Sequence, residues 1–208
     1  MFYILFEQWL INEEESAITP RKPIEQQVEQ EAILNVARDL FVKKGFRDVS
    51  MRQIAAELEM SHGMIYYHFN NKAGLFYAVV AKDFALLDEI LEEIMRGEAD
   101  PVQKLKHLFV AYMKFGIDYS SHYEMMFLIK DEQLNTLMNE EPNRSYERFA
   151  KAVAALVGPK CATTQSIWSA FLSLHGFVVH YYKTGQTFNE MKSLVEGHAE
   201  FIIKSLDI

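Results

Sequence analysis

The sequence predicts an all-α chain, and three observations predict it. Apolar residues recur at three- and four-residue spacing from Pro23 onward, no stretch alternates as a strand does, and capping residues and glycines fall at helix-length intervals. Ile33, Leu34, Ala37, Leu40 and Phe41 form one stripe, closed by a basic turn and Gly45, so the first helix runs over 23–44. Ser50 with Gln53 is a capping box opening a short helix, 51–58, and Ser61 caps another over 62–68. Asn71 caps a longer helix, 72–96, stopped by Gly97.

Asp100-Pro101 pairs an N-cap with proline at the first helical position and starts a helix to about Tyr119. A shorter helix is expected over 122–134, and Pro142 starts another that ends at Gly158-Pro159. Thr163 to Lys183 reads as a long helix closed by Gly185, and the capping box Thr187/Glu190 leads a last helix to about Leu206. That makes nine helices, with a tenth expected near the N-terminus. There Phe2, Ile4, Leu5, Phe6 and Trp9 form an apolar extension of eleven residues, MFYILFEQWLI, too short for the ~20 a membrane helix needs. It also lacks the positive start of a secretory leader, so an extension over 1–22 docked on an apolar surface and a cytoplasmic chain are expected.

Composition narrows the function classes. The chain has 208 residues, half of them hydrophobic, which excludes disorder as its main state. A single cysteine excludes an internal disulfide framework, a cysteine-rich zinc site and an iron–sulfur cluster, and no cofactor or metal is expected. A net charge of −8 argues against a basic surface wrapping nucleic acid, but the charge is uneven. Residues 21–80 carry eight bases against seven acids, while both flanking segments are acidic, so phosphate contact is expected within 21–80. No nucleophile elbow, P-loop, GxGxxG or HExxH occurs, and Cys161 lacks a local base, so no enzyme is expected.

The informative stretch is MRQIAAELEMSHGMIYYHF: two short helices joined by a tight turn, with Ile54, Ala55, Leu58 and Ile65 as their shared core. His62, Tyr66, Tyr67 and His68 crowd hydrogen-bonding groups onto the second helix, and Asn70, Asn71 and Lys72 follow. Such a helix suits a major groove, early residues on base edges and later ones on phosphate. The alternative reading is a helical hairpin with half-buried tyrosines.

Taken together, ILNVARDLFVKKGFRDVSMRQIAAELEMSHGMIYYHFNNKAGLFYAVV resembles the DNA-binding domain of the TetR family of bacterial transcriptional regulators, over about residues 30–80. The resemblance rests on Phe41 with Gly45-Phe46, on Ile54-Ala55, on the aromatic run Tyr66 to Phe69, and on Lys72. It implies a helix-turn-helix domain over 23–71 and a helical ligand-binding and dimerisation domain over 72–208, linked by helix 72–96. The implied protein is a homodimer that binds double-stranded operator DNA, most often as a repressor of a palindromic site, and is released by a small-molecule inducer. Ser50 and Arg52 match positions near phosphate or a base edge, and His62, Gly63 and Met64 match base-reading positions. Tyr66, Tyr67 and His68 match phosphate contacts, and Lys72 adds charge at the start of helix four. Two departures stand out: Glu59 occupies a turn position where glycine is usual, at a cost of about 1–2 kcal/mol if left-handed, and Gly74 softens the first turn of helix four.

Further along, IWSAFLSLHGFVVHYY resembles the Trp and His-Gly pattern of a C-terminal subclass of the family. That implies pairing of helices 163–184 and 188–206 with their symmetry mates, with Gly176 permitting close approach. Tyr112, Phe115, Tyr119, Met125, Met126 and Ile129, with Trp168, Phe171 and His175, are the candidate pocket residues; such an aromatic, Met-rich lining favours a hydrophobic or aromatic inducer. A competing reading keeps the apolar C-terminal part as a lipid-like binding module without DNA function.

Overall fold

The computed structural model describes residues 24–129, 131, 134 and 140–207. The expected extension over 1–22 lies outside them. Among the described residues the chain is helical with no strand: α1 Ile24–Lys44, α2 Met51–Glu57, α3 His62–His68, α4 Lys72–Arg96 and α5 Pro101–Asp118. A single turn, α6 Ser120–Tyr123, runs into a π-helical turn, Glu124–Leu128; α7 Glu140–Val157, α8 Thr164–Tyr181 and α9 Phe188–Ser205 complete the fold.

The expected caps form. Ser50/Gln53 and Thr187/Glu190 are reciprocal capping boxes, Ser61 accepts from Met64 N, Asn71 from Gly74 N, and Asp100 from Gln103 N ahead of Pro101. Because Asn71 satisfies the Gly74 amide at 2.7 Å, α4 begins regularly despite its glycine. Elsewhere the expectation needs correcting. In place of the start of a helix over 122–134 there is one α turn and a π turn ending at Leu128; residues 130, 132 and 133 lie outside the described ones. Helix α7 starts at Glu140, not Pro142; the proline sits in the first turn, where its missing N–H breaks no bond. Helix α8 stops at Tyr181, and Lys183 takes a positive φ of 56°.

Helix α1 packs on α2 and α4, and its apolar stripe is sealed by three rings: Phe41, Phe46 and Phe76 meet with centroids 5.2–5.8 Å apart. Ile33, Ile54 and Ile65 are fully buried beside them, so Ile65 is the apolar anchor of α3. The larger part stacks α5 against α4, α7, α8 and α9. Gly116 sits where α5 crosses α8, and a Cβ there would fall 2.2 Å from Val178 Cγ1, so only glycine admits this spacing.

The two parts meet along α1 and α4. Arg38 on α1 reaches Asp83 on α4, both side chains buried, and Lys82 pairs with Glu31 at the rim. His122, on α6, lies 4.0 Å from Asp83. Arg47, in the loop after α1, bonds Asp131 at 2.8 Å and ties the head directly to the segment beyond the π turn.

Candidate nucleic-acid interface and ligand cleft

The turn between α2 and α3 is a Schellman closure. Met60 N donates to Ala55 O at 2.9 Å and Glu59 N to Ala56 O at 3.2 Å, which requires a left-handed residue between them. Glu59 supplies it at φ 53°, so the usual glycine geometry is kept with a non-glycine residue. Helix α3 is thereby held with Ile65 inward and its other side outward.

His62, Gly63, Met64, Tyr66 and Tyr67 are exposed on that outer side, as are Ser50 and Arg52 at the start of α2. The His62 and Tyr66 rings meet edge to face at 4.8 Å, which stiffens the early turn of α3. A Cβ at Gly63 would meet only Ser61 Oγ, at 4.0 Å, so the backbone is open to close approach from outside. Tyr67, 68% exposed, projects furthest of the two tyrosines.

Two expected contact residues are placed otherwise. The His68 side chain is 1% exposed and its Nε2 lies 3.3 Å from Glu29 on α1, so its ring braces α3 against α1 and is closed to phosphate. Lys72 points back into the head: Nζ donates to Phe46 O at 2.7 Å, Val49 O at 2.8 Å and Arg47 O at 3.3 Å, over the face of the Phe46 ring. An ammonium has three donors. All three are spent on the loop between α1 and α2, so Lys72 clamps that loop to α4 and has no proton left for DNA.

Between α4, α5, α7 and α8 lies an apolar cleft of about 460 Å³ out to its open mouth, with only about 30 Å³ in which a water-sized centre can move. Helix α4 contributes Phe84, Leu87, Asp88, Ile90 and Leu91, and α5 contributes Leu108, Ala111 and Tyr112. Phe127 comes from the π turn, Pro142, Ser145, Tyr146 and Phe149 from α7, and Phe171 from α8.

Of the nine pocket residues expected from sequence, Tyr112 and Phe171 line this cleft. Met125 and Met126 are core side chains, Phe115 is buried and stacks on Tyr119, Tyr119 is 45% exposed, and Ile129 caps the π turn. The π turn carries an extra residue, which re-aims the side chains after it, and Phe127 reaches the cleft instead. Trp168 stacks on Phe171 and edges Tyr146, and His175 stacks on the other side of Phe171, so both support the lining from behind. His175 Nδ1 is hydrogen-bonded to the Tyr123 hydroxyl, which bonds Tyr112 at 3.2 Å. Burial raises the pKa of both phenols, so they remain neutral.

Sequence reasoning missed Asp83 and Asp88. The signal was present: both interrupt the apolar stripe of α4 at positions that point inward, and a buried acid needs a partner. Asp88 finds two. Its Oδ1 accepts from Ser145 Oγ at 2.8 Å, and its Oδ2 is bonded by Arg148.

Among the described residues, helices α8 and α9 carry an exposed apolar stripe. Leu172 and Val179 on α8 are exposed at heptad spacing, with Gly176 between them and Ser169 a turn before Leu172, and Leu194 and Phe201 on α9 flank Gly197. A Cβ at Gly176 or Gly197 would meet nothing within 4 Å. No helix among the described residues is long and apolar enough to cross a membrane, and no cluster of metal-ligating side chains occurs among them.

Residues 33–79 match the family model for bacterial regulatory proteins of the tetR family. The chain is 24% identical over 127 residues to the HTH-type transcriptional repressor NicS of Pseudomonas putida, covering 61% of this chain and 58% of that one. It is 25% identical over 152 residues to the HTH-type transcriptional regulator HbdR of Aromatoleum, covering 67% and 63%. The match thus spans about three fifths of these curated relatives. A TetR-like transcriptional regulator of known structure from Rhodococcus sp. RHA1 superposes with a TM-score of 0.65 at 20% identity, over 86% of this chain and 97% of that one, which establishes a shared fold.

Proposed function

We propose that this chain, whose residues 33–79 are a tetR-type N-terminal domain, is a ligand-responsive DNA-binding transcriptional regulator acting as a homodimer. The domain boundaries are those of a head over 23–71 and a ligand-binding and dimerisation part over 72–208. One observation carries the reading: α3 turns only Ile65 and the His68 ring inward and leaves His62, Gly63, Met64, Tyr66 and Tyr67 exposed. A purely structural helix of seven residues would not leave so many large polar and aromatic side chains uncovered.

In this reading His62, Gly63 and Met64 meet base edges in the major groove, and Ser50, Arg52, Tyr66 and Tyr67 position the head on phosphate. The exposed stripe through Gly176 and Gly197 pairs α8 and α9 with a second copy as a four-helix interface. The regulator represses by occupying a palindromic operator, and a small hydrophobic or aromatic inducer in the cleft releases it.

Helix α4 supplies the linkage. It is ~37 Å long at 1.5 Å per residue; its first residue clamps the head, its middle holds Arg38, and its later half walls the cleft. A ligand that spreads α4 from α7 tilts the head, and two heads must sit ~34–36 Å apart, or a multiple, to enter successive groove faces. A coupling of about 1–3 kcal/mol weakens the operator complex about 5- to 150-fold.

The test is selection of duplex DNA from a random pool by the purified protein, then anisotropy titration of the selected duplex across a salt series. A palindromic product bound with a steep salt slope is expected. Absence of enrichment at low salt removes the DNA reading and leaves a helical small-molecule carrier.

A further inference from the structure

We propose that the cleft between α4, α5, α7 and α8 is built for an organic cation, an apolar or aromatic body carrying a quaternary or protonated amine. The proposal rests on the reading of this cleft as the ligand site and adds the charge of its occupant.

The lining holds one charged residue among those described, Asp88, and its side chain is 8% exposed. The rest is apolar or aromatic apart from the Ser145 hydroxyl and two phenols. Six rings face the space: Phe84, Tyr112, Phe127, Tyr146, Phe149 and Phe171. Burying a carboxylate on an apolar wall is costly unless a cation and hydrogen bonds accompany it. Ser145 supplies the hydrogen bond and Arg148 the cation.

Arg148 is a lender rather than an owner. It does not line the cleft, and its side chain is 46% exposed, so it reaches Asp88 from the solvent side and loses little by letting go. A ligand cation entering from the cleft takes over the charge on Asp88 while ring faces surround its remaining sides, the arrangement in which aromatic quadrupoles stabilise ammonium groups. The Asp88–Ser145 bond is unaffected by that exchange. A carboxylate or phosphate ligand meets the opposite situation, a like charge at short range with no basic group among the described lining residues.

Calorimetric titration of the full-length protein tests this with an isosteric pair, phenyltrimethylammonium and tert-butylbenzene, and a slightly larger anion, 2-methyl-2-phenylpropanoate. The cation is expected to bind at least about tenfold tighter than the neutral probe, and the anion weakest. In Asp88→Asn the preference for the cation disappears while tert-butylbenzene binds as before. In Arg148→Gln, where the competing guanidinium is gone and Asp88 remains, the cation binds tighter than to wild type. This second variant keeps the test sound if Asp88→Asn fails to fold. Equal binding of cation and neutral probe, or preference for the anion, overturns the charge assignment and leaves the cleft as a ligand site. Failure of all three to bind a protein with a native circular dichroism spectrum overturns the ligand-site reading as well.

Discussion

Arg38 and Asp83 form a forked ion pair across the joint between the two parts of the molecule, with Nε 3.0 Å from one carboxylate oxygen and side chains 5% and 0% exposed. Asn35 accepts a further bond from the same guanidinium at 3.0 Å. Desolvation pushes the Asp83 pKa upward and the Arg38 hydrogen bonds hold it down, so the carboxylate depends on its partner to stay charged.

Removing that partner should therefore cost more than a surface pair does. Arg38→Met is expected to lose about 3–5 kcal/mol, because a buried charge is left uncompensated. Arg38→Met with Asp83→Leu should recover most of it. Urea unfolding of the single and double variants measures the difference, and a single variant as stable as wild type would show the pair to be idle.

His122 makes the same joint acid-sensitive. Burial, then the charges of Arg38 and Lys82, lower its pKa to about 4, while Asp39 opposes them. A depressed folded pKa means more protons bound to the unfolded chain between about 4 and the ordinary value near 6.5, so stability is present above that window and lost as pH falls through it. The side chain is 23% exposed, which trims the effect to on the order of 1–2 kcal/mol. The drop in unfolding free energy from pH 7 to pH 4.5 should be smaller in His122→Gln by that amount.

Lys72 and Arg52 should separate by salt dependence. Arg52→Ala is expected to reduce the slope of log affinity against log salt by about 0.9, the loss of one phosphate contact. Lys72→Met instead loosens the loop from Phe46 to Val49, lowering stability by about 1–3 kcal/mol and weakening DNA binding with the slope unchanged. A slope change on losing Lys72 would return it to the phosphate contacts.

Phe201, 65% exposed on α9, should matter only to assembly. Phe201→Glu is expected to yield a folded monomer in sedimentation, since a charge at the centre of a packed interface is costly. If the variant sediments with wild type, the stripe on α8 and α9 is not where the copies meet.

Much of this fold is legible in the sequence. Caps at Ser50, Ser61, Asn71, Asp100 and Thr187 act through neighbours three residues away, so local sequence suffices to find them, and Glu59 declared its left-handed turn by standing where glycine is usual. The cleft was not legible. Spacing tells which residues face inward, but Met126 and Phe127 both face inward and only packing decides which meets a void. Lys72 was misread for a related reason: a lysine at a helix start advertises charge, while its three acceptors are backbone carbonyls more than twenty residues away, invisible to any motif. Asp83 and Asp88 were overlooked because their partners lie 45 and 57 or more residues off.

The narrowness of the cleft bears on tempo. A free space of about 30 Å³ suits roughly two waters, so on the proposed reading an organic ligand enters as the packed helices move apart. Arrival is then paced by the protein: observed association rates level off at the opening rate as ligand rises, and apparent affinity is scaled down by the fraction of time spent open. Departure waits on the same motion. On the proposed reading, a switch of this kind averages over brief pulses of its signal and answers to sustained ones.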